Sequence, residues 1–253
     1  MRVAVLTSTS LRHRYFLQTA AAAFDVRAAL HQAKKGAYDA VQKDSLVVAQ
    51  HFRRIAEAEQ AEFTPVLKDT EALMHTVADI NDPTLVKRVR EVGVELVLLF
   101  GTTILKPRWL RTFPNRIVNL HLGLAPYYRG SATLFWPFVN GELECVGATI
   151  HLAAQKVDAG AILGRIRADP RIGDQYYNLT TRLIRRAIEA VPDTVIPYLR
   201  GEIQPLPQEL SAARAYRATD FDEAALIKAL AYVGSGLTID QIEAAKQSNR
   251  CVC

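Results

Sequence analysis

Apolar and polar positions along the first hundred residues switch repeatedly between a period of two and a helical period, which predicts alternating strands and helices. Arg2 to Thr7 reads as a first strand ending in a Ser/Thr-rich turn, and Leu11 to Phe24 as an Ala- and Leu-rich helix. Val26 to Leu30 reads as a second strand, and Lys34 to Asp44 as a polar loop broken at Gly36. A helix is expected over Asp44 to Phe63, with Asp44 as its cap and Thr64-Pro65 as its stop. His75 to Val77 forms a short strand in this reading. Asn81-Asp82-Pro83 opens a helix that runs to Val92 and closes at Gly93. Val94 to Phe100 is nearly all apolar, as expected of a central strand covered on both faces. The rhythm predicts an α/β fold with a doubly wound, mostly parallel sheet.

The second half continues with a short helix from Pro107, a strand over Ile117 to Leu122 and a Pro/Gly loop, GLAPYYRGSA. A helix is expected over Ala132 to Asn140, then strands over Val146 to Leu152 and Ala161 to Ile166, joined by the turn KVDAG. A long helix from Gln175 to Leu199 is expected to bend at Pro192 or Pro197. Gly201 to Leu210 reads as an extended connection, and Asp222 to Tyr232 and Ile239 to Lys246 as two final helices. The expected organisation is a main α/β domain over residues 1–200 and a small, mostly helical C-terminal extension over 201–253.

A chain of 253 residues can bury a core without a metal or disulfide staple. Its three cysteines, Cys145, Cys251 and Cys253, do not form a disulfide framework, so a reducing cytoplasm is expected. The tail Cys-Val-Cys reads as a frayed terminus with two thiols. No signal peptide or membrane span is expected. The formal charge of +5 permits an anionic partner but is scattered. Arg108, Arg111 and Arg116 form a loose cluster. Arg182, Arg185 and Arg186 are spaced like a solvated helix face.

Chemistry concentrates between Val118 and Gly160. Asn119 and His121 are two apart on an expected strand and so share a face at its end, where open α/β sheets place ligands. A buried amide and imidazole there need partners. Gly123, Pro126 and Gly130 shape the following loop, in which Arg129 is a candidate anion contact. Asp158 sits in a turn before Ala159-Gly160. His151 is open to either a core or a site role. Ser10 and Arg12 lie in the turn Thr7 to His13, which opens the first helix and reads equally as a phosphate site or a Ser/Thr cap. No residue cluster has metal-ligand spacing.

These segments, Asn119-Leu120-His121, Leu124-Ala125-Pro126 with Gly130, Gly147-Ala148-Thr149 and Val157-Asp158-Ala159-Gly160, resemble the folate-dependent formyltransferase family over about Leu96 to Leu163. The resemblance implies the Rossmann-like fold of those enzymes and 10-formyltetrahydrofolate as formyl donor, with no metal. It implies Asn119 as the donor to a developing oxyanion, a protonated His121 as acid and electrostatic partner, and Asp158 as the group that orients the imidazole or a water and moves the amine proton. A carboxylate beside the histidine is expected to raise its pKa. The resemblance places folate against Phe100, Gly101, Thr102, Thr103, Ile104 and Leu105, and against Ala153, Ala154, Gln155 and Val157.

After His121 the chain departs from the purine enzyme and is more similar to the sugar-modifying relatives, through Tyr-Tyr-Arg-Gly-Ser and Phe135-Trp136. The expected acceptor is a small, nucleotide-linked amine such as an amino sugar, with Tyr127, Tyr128 and Trp136 as stacking candidates beside Arg129 and Gly130. Methionyl-tRNA-like and glycinamide-ribonucleotide-like activities stay as alternatives, as does a non-catalytic folate or nucleotide binder. Nucleic acid is a disfavoured partner, and a homodimer is an open expectation.

Overall fold

The computed structural model describes residues 1–32, 38–68, 73–211 and 213–251. The chain opens with β1 (Arg2–Thr7), α1 (Leu11–Ala23) and β2 (Asp25–Gln32), followed by α2 (Asp39–Asp44), α3 (Leu46–Phe63) and β3 (Met74–Val77). Next come α4 (Pro83–Glu91), β4 (Leu96–Leu99), α5 (Pro107–Thr112), β5 (Ile117–His121), β6 (Tyr128–Gly130) and α6 (Trp136–Asn140). The strands β7 (Gly147–Leu152) and β8 (Ile162–Arg167) precede the long helix α7 (Tyr176–Leu199). β9 (Arg214–Tyr216), α8 (Glu223–Val233) and α9 (Ile239–Gln247) complete the order.

Seven strands form one sheet in the order β3-β2-β1-β4-β5-β7-β8. The pairings from β3 to β5 are parallel, while β7 runs antiparallel to both β5 and β8. Period-two alternation divides the core between the two faces. Val3, Val5, Leu96 and Leu98 pack with α1, α3 and α7, whereas Ala4, Leu6, Val97 and Leu99 pack with α4 and α5. A strand buried on both sides must be apolar at every position, which is why β4 reads LVLL.

Several boundaries differ from the pattern. The expected loop at Lys34 to Asp44 lies partly outside the described residues, and its end is helical as α2. Tyr38, just before it, stacks on Phe52 of α3. Ser45 rather than Asp44 caps α3, its hydroxyl accepting from the Val48 N–H at 3.1 Å. The helix expected from Ala132 starts only at Trp136, because Ala132 has φ +55° and breaks the right-handed run. α7 continues through Pro192 and Pro197, held by the buried Val191 and Val195. Within it Arg182 pairs with Asp174, and Arg185 bridges Glu62 and Glu189.

The cysteine expectation is overturned. Cys145 and Cys251 form a disulfide, with Cα atoms 5.6 Å apart across a separation of 106 residues. Both residues are buried, and the tail returns to this point because Ser248 donates to Glu144 at 2.6 Å and Arg167 donates to the Cys251 carbonyl. Folding back after α9 is a tertiary event that spacing does not encode. Cys253 lies outside the described residues.

A second buried feature sits where α3 meets α7. His51 is surrounded by the rings of Phe52, Phe135, Tyr176, Tyr177 and Phe221, and its Nδ1 lies 3.1 Å from the Tyr177 hydroxyl. Burial, with a smaller contribution from Arg54, lowers its pKa from 6.5 to about 4.

Two outcomes follow. Closing so long a loop constrains the unfolded chain, so reduction, or Cys145→Ser, should lower the unfolding free energy by about 2–4 kcal/mol in urea titrations. An unchanged midpoint, with every thiol titratable in the native protein, would refute the bond. For His51, the unfolded chain takes up a proton that the folded protein refuses as pH falls from 6.5 towards 4, so stability is lost across that window. The wild type should lose about 3 kcal/mol there that His51→Gln does not lose. Parallel pH profiles for the two proteins would contradict this.

Candidate active site

Asn119 and His121 occupy the end of β5 and point to one face, because Val118 and Leu120 are given to the opposite core. The antiparallel neighbour sets Asn119 across from His151 and His121 across from Thr149. The β7–β8 turn then carries Asp158 back over the same face. Asp158 adopts φ +50°, a left-handed conformation that a non-glycine residue holds only when its surroundings enforce it. Gly160 lets the turn press onto β7, since a Cβ there would overlap the Leu152 carbonyl oxygen.

The three expected side chains therefore meet, and His151 joins them. His121 Nδ1 lies 3.5 Å from Asp158 Oδ2, and His151 Nε2 lies 3.6 Å from Asp158 Oδ1. The Asn119 amide nitrogen is 3.1 Å from His151 Nε2 and 3.5 Å from Asp158 Oδ1. The Gly130 N–H donates to Asp158 Oδ2 at 3.0 Å. Each histidine directs its other ring nitrogen at a carbonyl: His121 Nε2 at Tyr128 O, 2.9 Å, and His151 Nδ1 at Leu152 O, 2.8 Å. Carbonyls only accept, so those nitrogens carry the protons. In the neutral rings the nitrogens facing Asp158 are then acceptors.

Burial pushes the Asp158 carboxyl up, but His121, His151 and the Gly130 N–H outweigh it and hold the pKa at about 2. Asp158 raises the His121 pKa as expected, but it does not set the net direction. Burial lowers the His121 pKa below 6.5 and outweighs the raising effect of Asp158, while His151 and Arg129 add to the lowering. A buried imidazolium loses more hydration than one carboxylate at 3.5 Å returns.

The cluster lines a cavity of about 730 Å³ beyond the carboxyl ends of β1, β4 and β5. Phe100, Gly101, Thr102, Thr103, Ile104 and Leu105 line it, as do Ala153, Ala154 and Val157. Gln155 does not and is exposed. Ile104 and Val157 are apolar yet 71% and 41% exposed, and both face this space. Thr102 Oγ1 is buried and has no hydrogen-bond partner among the described residues. Apolar walls with an unsatisfied hydroxyl fit a flat heterocycle with polar edges, as a pterin is.

The expected acceptor contacts divide. Ser10, Arg12 and Gly130 line the cavity. Ser10 does not cap α1 with its side chain; its hydroxyl meets His13 Nδ1 at 2.7 Å. Arg12 is held by Glu59 at 2.5 Å. Tyr127, Tyr128, Arg129 and Trp136 do not line it. Tyr128 is fully buried, and Trp136 stacks on Tyr216 at 4.3 Å while its indole N–H donates to Ser131 O. These rings pack the loop onto the body, so they have no face to offer a ligand. Buried Arg129 directs its guanidinium to the Val157 carbonyl rather than to an anion. The aromatic rings that line the cavity are Tyr38, Phe52, Phe100, Phe135, Tyr176 and Phe221; of these, sequence reading missed Tyr38, Phe52, Tyr176 and Phe221, which lie outside the segment that carries the motifs.

Among the described residues, no group of three or more His, Cys, Asp or Glu is placed to hold a metal ion, and no helix is long and apolar enough to cross a membrane. The formyl transferase family model matches residues 16–195, more than two thirds of the chain. A sugar N-formyltransferase from Shewanella sp FDAARGOS_354 is similar in structure, with TM-score 0.63 and 16% identity over 92% of this chain and 88% of that one. The formyltransferase PseJ from Anoxybacillus kamchatkensis, solved with UDP-4,6-dideoxy-4-formamido-L-AltNAc and tetrahydrofolate, matches with TM-score 0.52 and 18% identity over 87% of each chain. Glycinamide ribonucleotide transformylase 1 from Symbiobacterium toebii gives TM-score 0.56 and 21% identity over 81% of this chain and 94% of that one. At such identities the likeness is one of fold, but the family match spans β5, β7 and the Asp158 turn, and the chain belongs to the formyl transferase family.

Proposed function

We propose that the protein transfers a formyl group from 10-formyltetrahydrofolate to the amine of a small acceptor, an amino-sugar nucleotide. The observation that carries this reading is the meeting of Asn119, His121 and Asp158 at one cavity wall. When bound, 10-formyltetrahydrofolate supplies an electrophilic formyl carbon. Phe100 to Leu105, Ala153, Ala154 and Val157 would hold it, Ile104 and Val157 offering exposed apolar side chains and Thr102 a free hydroxyl.

The residues divide the work by what they can donate or accept. The Asn119 amide supplies an N–H to charge developing on an oxygen, where a pre-placed donor contributes most. His121, neutral because it is buried, accepts the amine proton at Nδ1. Asp158 stays ionised and stabilises the resulting imidazolium from 3.5 Å, and the ring then returns the proton to the departing nitrogen. His151 accepts from the Asn119 amide and so fixes which way it points.

Support for the acceptor class comes from the other lobe of the cavity. Tyr38 and Phe52 offer aromatic faces suited to a nucleobase. Arg12 keeps a buried Nε without a hydrogen-bond partner among the described residues, a donor suited to a phosphate oxygen. That PseJ was solved with a UDP-linked formamido sugar agrees with this class.

The test is release of tetrahydrofolate with UDP- and dTDP-linked amino sugars and with glycinamide ribonucleotide. Turnover is expected with a nucleotide sugar, and Asn119→Ala and His121→Ala should each lower kcat by about 10²–10³-fold. Because His121 must be unprotonated to accept, kcat/KM should fall on the acid side with a midpoint below 6.5. Folinic acid binding without turnover on any amine would sink the transferase reading, and turnover of glycinamide ribonucleotide alone would replace the acceptor.

A further inference from the structure

The family match ends at residue 195, and the chain beyond α7 returns to the site. Leu206 pairs with Ile162 at the start of β8, with N–H···O distances of 2.7 and 2.8 Å. Two residues on, the Gln208 amide nitrogen lies 3.1 Å from the Asp158 carbonyl and 2.6 Å from the Gly160 carbonyl. The Arg129 guanidinium takes the Val157 carbonyl from the other side. Carbonyls on either side of the Asp158 peptide unit, and its own, are thus held by side-chain donors. Gln208 Oε1 is buried without a hydrogen-bond partner among the described residues, so this amide is retained at a desolvation cost. Its two N–H donors are what it contributes.

The same segment supports the residues that meet the catalytic side chains. β9 pairs with β6, and β6 provides both the Tyr128 carbonyl that receives His121 and the Gly130 N–H that reaches Asp158. Arg214 of β9 pairs with Glu142, which accepts from the Tyr128 hydroxyl at 2.5 Å.

We propose that Gln208 is a positioning residue for Asp158: with Arg129 it clamps the left-handed turn so that the carboxylate faces His121, which makes the segment after α7 part of the active site rather than an appendage. Gln208 touches no reacting atom and acts through the backbone of residues 158 and 160. A φ of +50° at a non-glycine residue costs energy, and the turn would relax towards commoner conformations once its carbonyls were released. Relaxation carries the carboxylate off the Gly130 N–H and away from the imidazole.

This inference rests on the transferase reading only for its kinetic arm, so the experiment has two arms. Gln208→Ala and the near-isosteric Gln208→Met remove the donors, while Leu206→Ala alters the same strap without touching the turn. In hydrogen–deuterium exchange, the peptide covering residues 155–161 and the Gly130 amide should exchange about tenfold faster in both Gln208 variants and as in wild type in Leu206→Ala. With the acceptor that wild type turns over, kcat should fall about tenfold in both Gln208 variants. The KM for 10-formyltetrahydrofolate and the thermal midpoint should stay near wild type, a split that general destabilisation would not produce. Unchanged exchange at the turn overturns the clamp, as does a kcat loss equalled by Leu206→Ala or tracking the thermal midpoint. Wild-type protein inert towards every amine would remove the transferase reading, and the exchange arm would still decide the clamp.

Discussion

Taking the Asp158 carboxylate out of water raises its energy, and the surrounding groups must return that energy or the carboxyl would take up a proton. They do return it: the Gly130 N–H and the Asn119 amide direct protons at a side chain that is 12% exposed, either imidazole adds attraction whenever it takes up a proton, and the acid stays ionised. The partners come from three elements. Asn119 and His121 need β5, His151 needs β7, Gly130 needs β6, and Asp158 itself needs the turn that β7 and β8 enclose. One charge thereby fixes the relative positions of four parts of the fold.

The antiparallel arrangement of β7 makes this possible. A further parallel strand would need a crossover of a dozen or more residues and would return the chain from the far end of the sheet. Reversal at β7 instead sets His151 directly across from Asn119, and a short connection to β8 brings Asp158 back over them. The departure from a purely parallel sheet falls at the strand where the chemistry sits. The five parallel strands before it supply a floor whose two apolar faces make it rigid.

The parts of this design that were legible in the sequence are those governed by local rules. Asn119 and His121 share a face because strands have a period of two, and the Asp-x-Gly step marked the turn. The apolar run at β4 announced its burial. His151 stayed ambiguous because a single histidine on an apolar strand looks the same whether it faces a core or a site, and only the register with β5 decides between them. Tyr128 and Trp136 misled because an aromatic near a glycine-rich loop carries no mark of which way it packs; here Tyr216, far along the chain from both, covers them. Gln208 and Cys251 were invisible for a related reason. Their partners are backbone carbonyls and a distant thiol, which leave no periodicity or spacing in the chain.

The tautomers carry the argument one step further. Both histidines commit their N–H to backbone carbonyls, so in the neutral state each turns a lone pair towards an ionised Asp158. Asn119 is the one side chain of the four that presents protons. A site so rich in acceptors repels an anion at this point and is complementary to a group with N–H bonds to give. An amine satisfies that demand, and on attack it acquires the positive charge that Asp158 is placed to stabilise. Burial that holds His121 neutral is therefore what makes it an acceptor of the amine proton, and a more exposed imidazole, protonated near neutrality, would turn the incoming amine away.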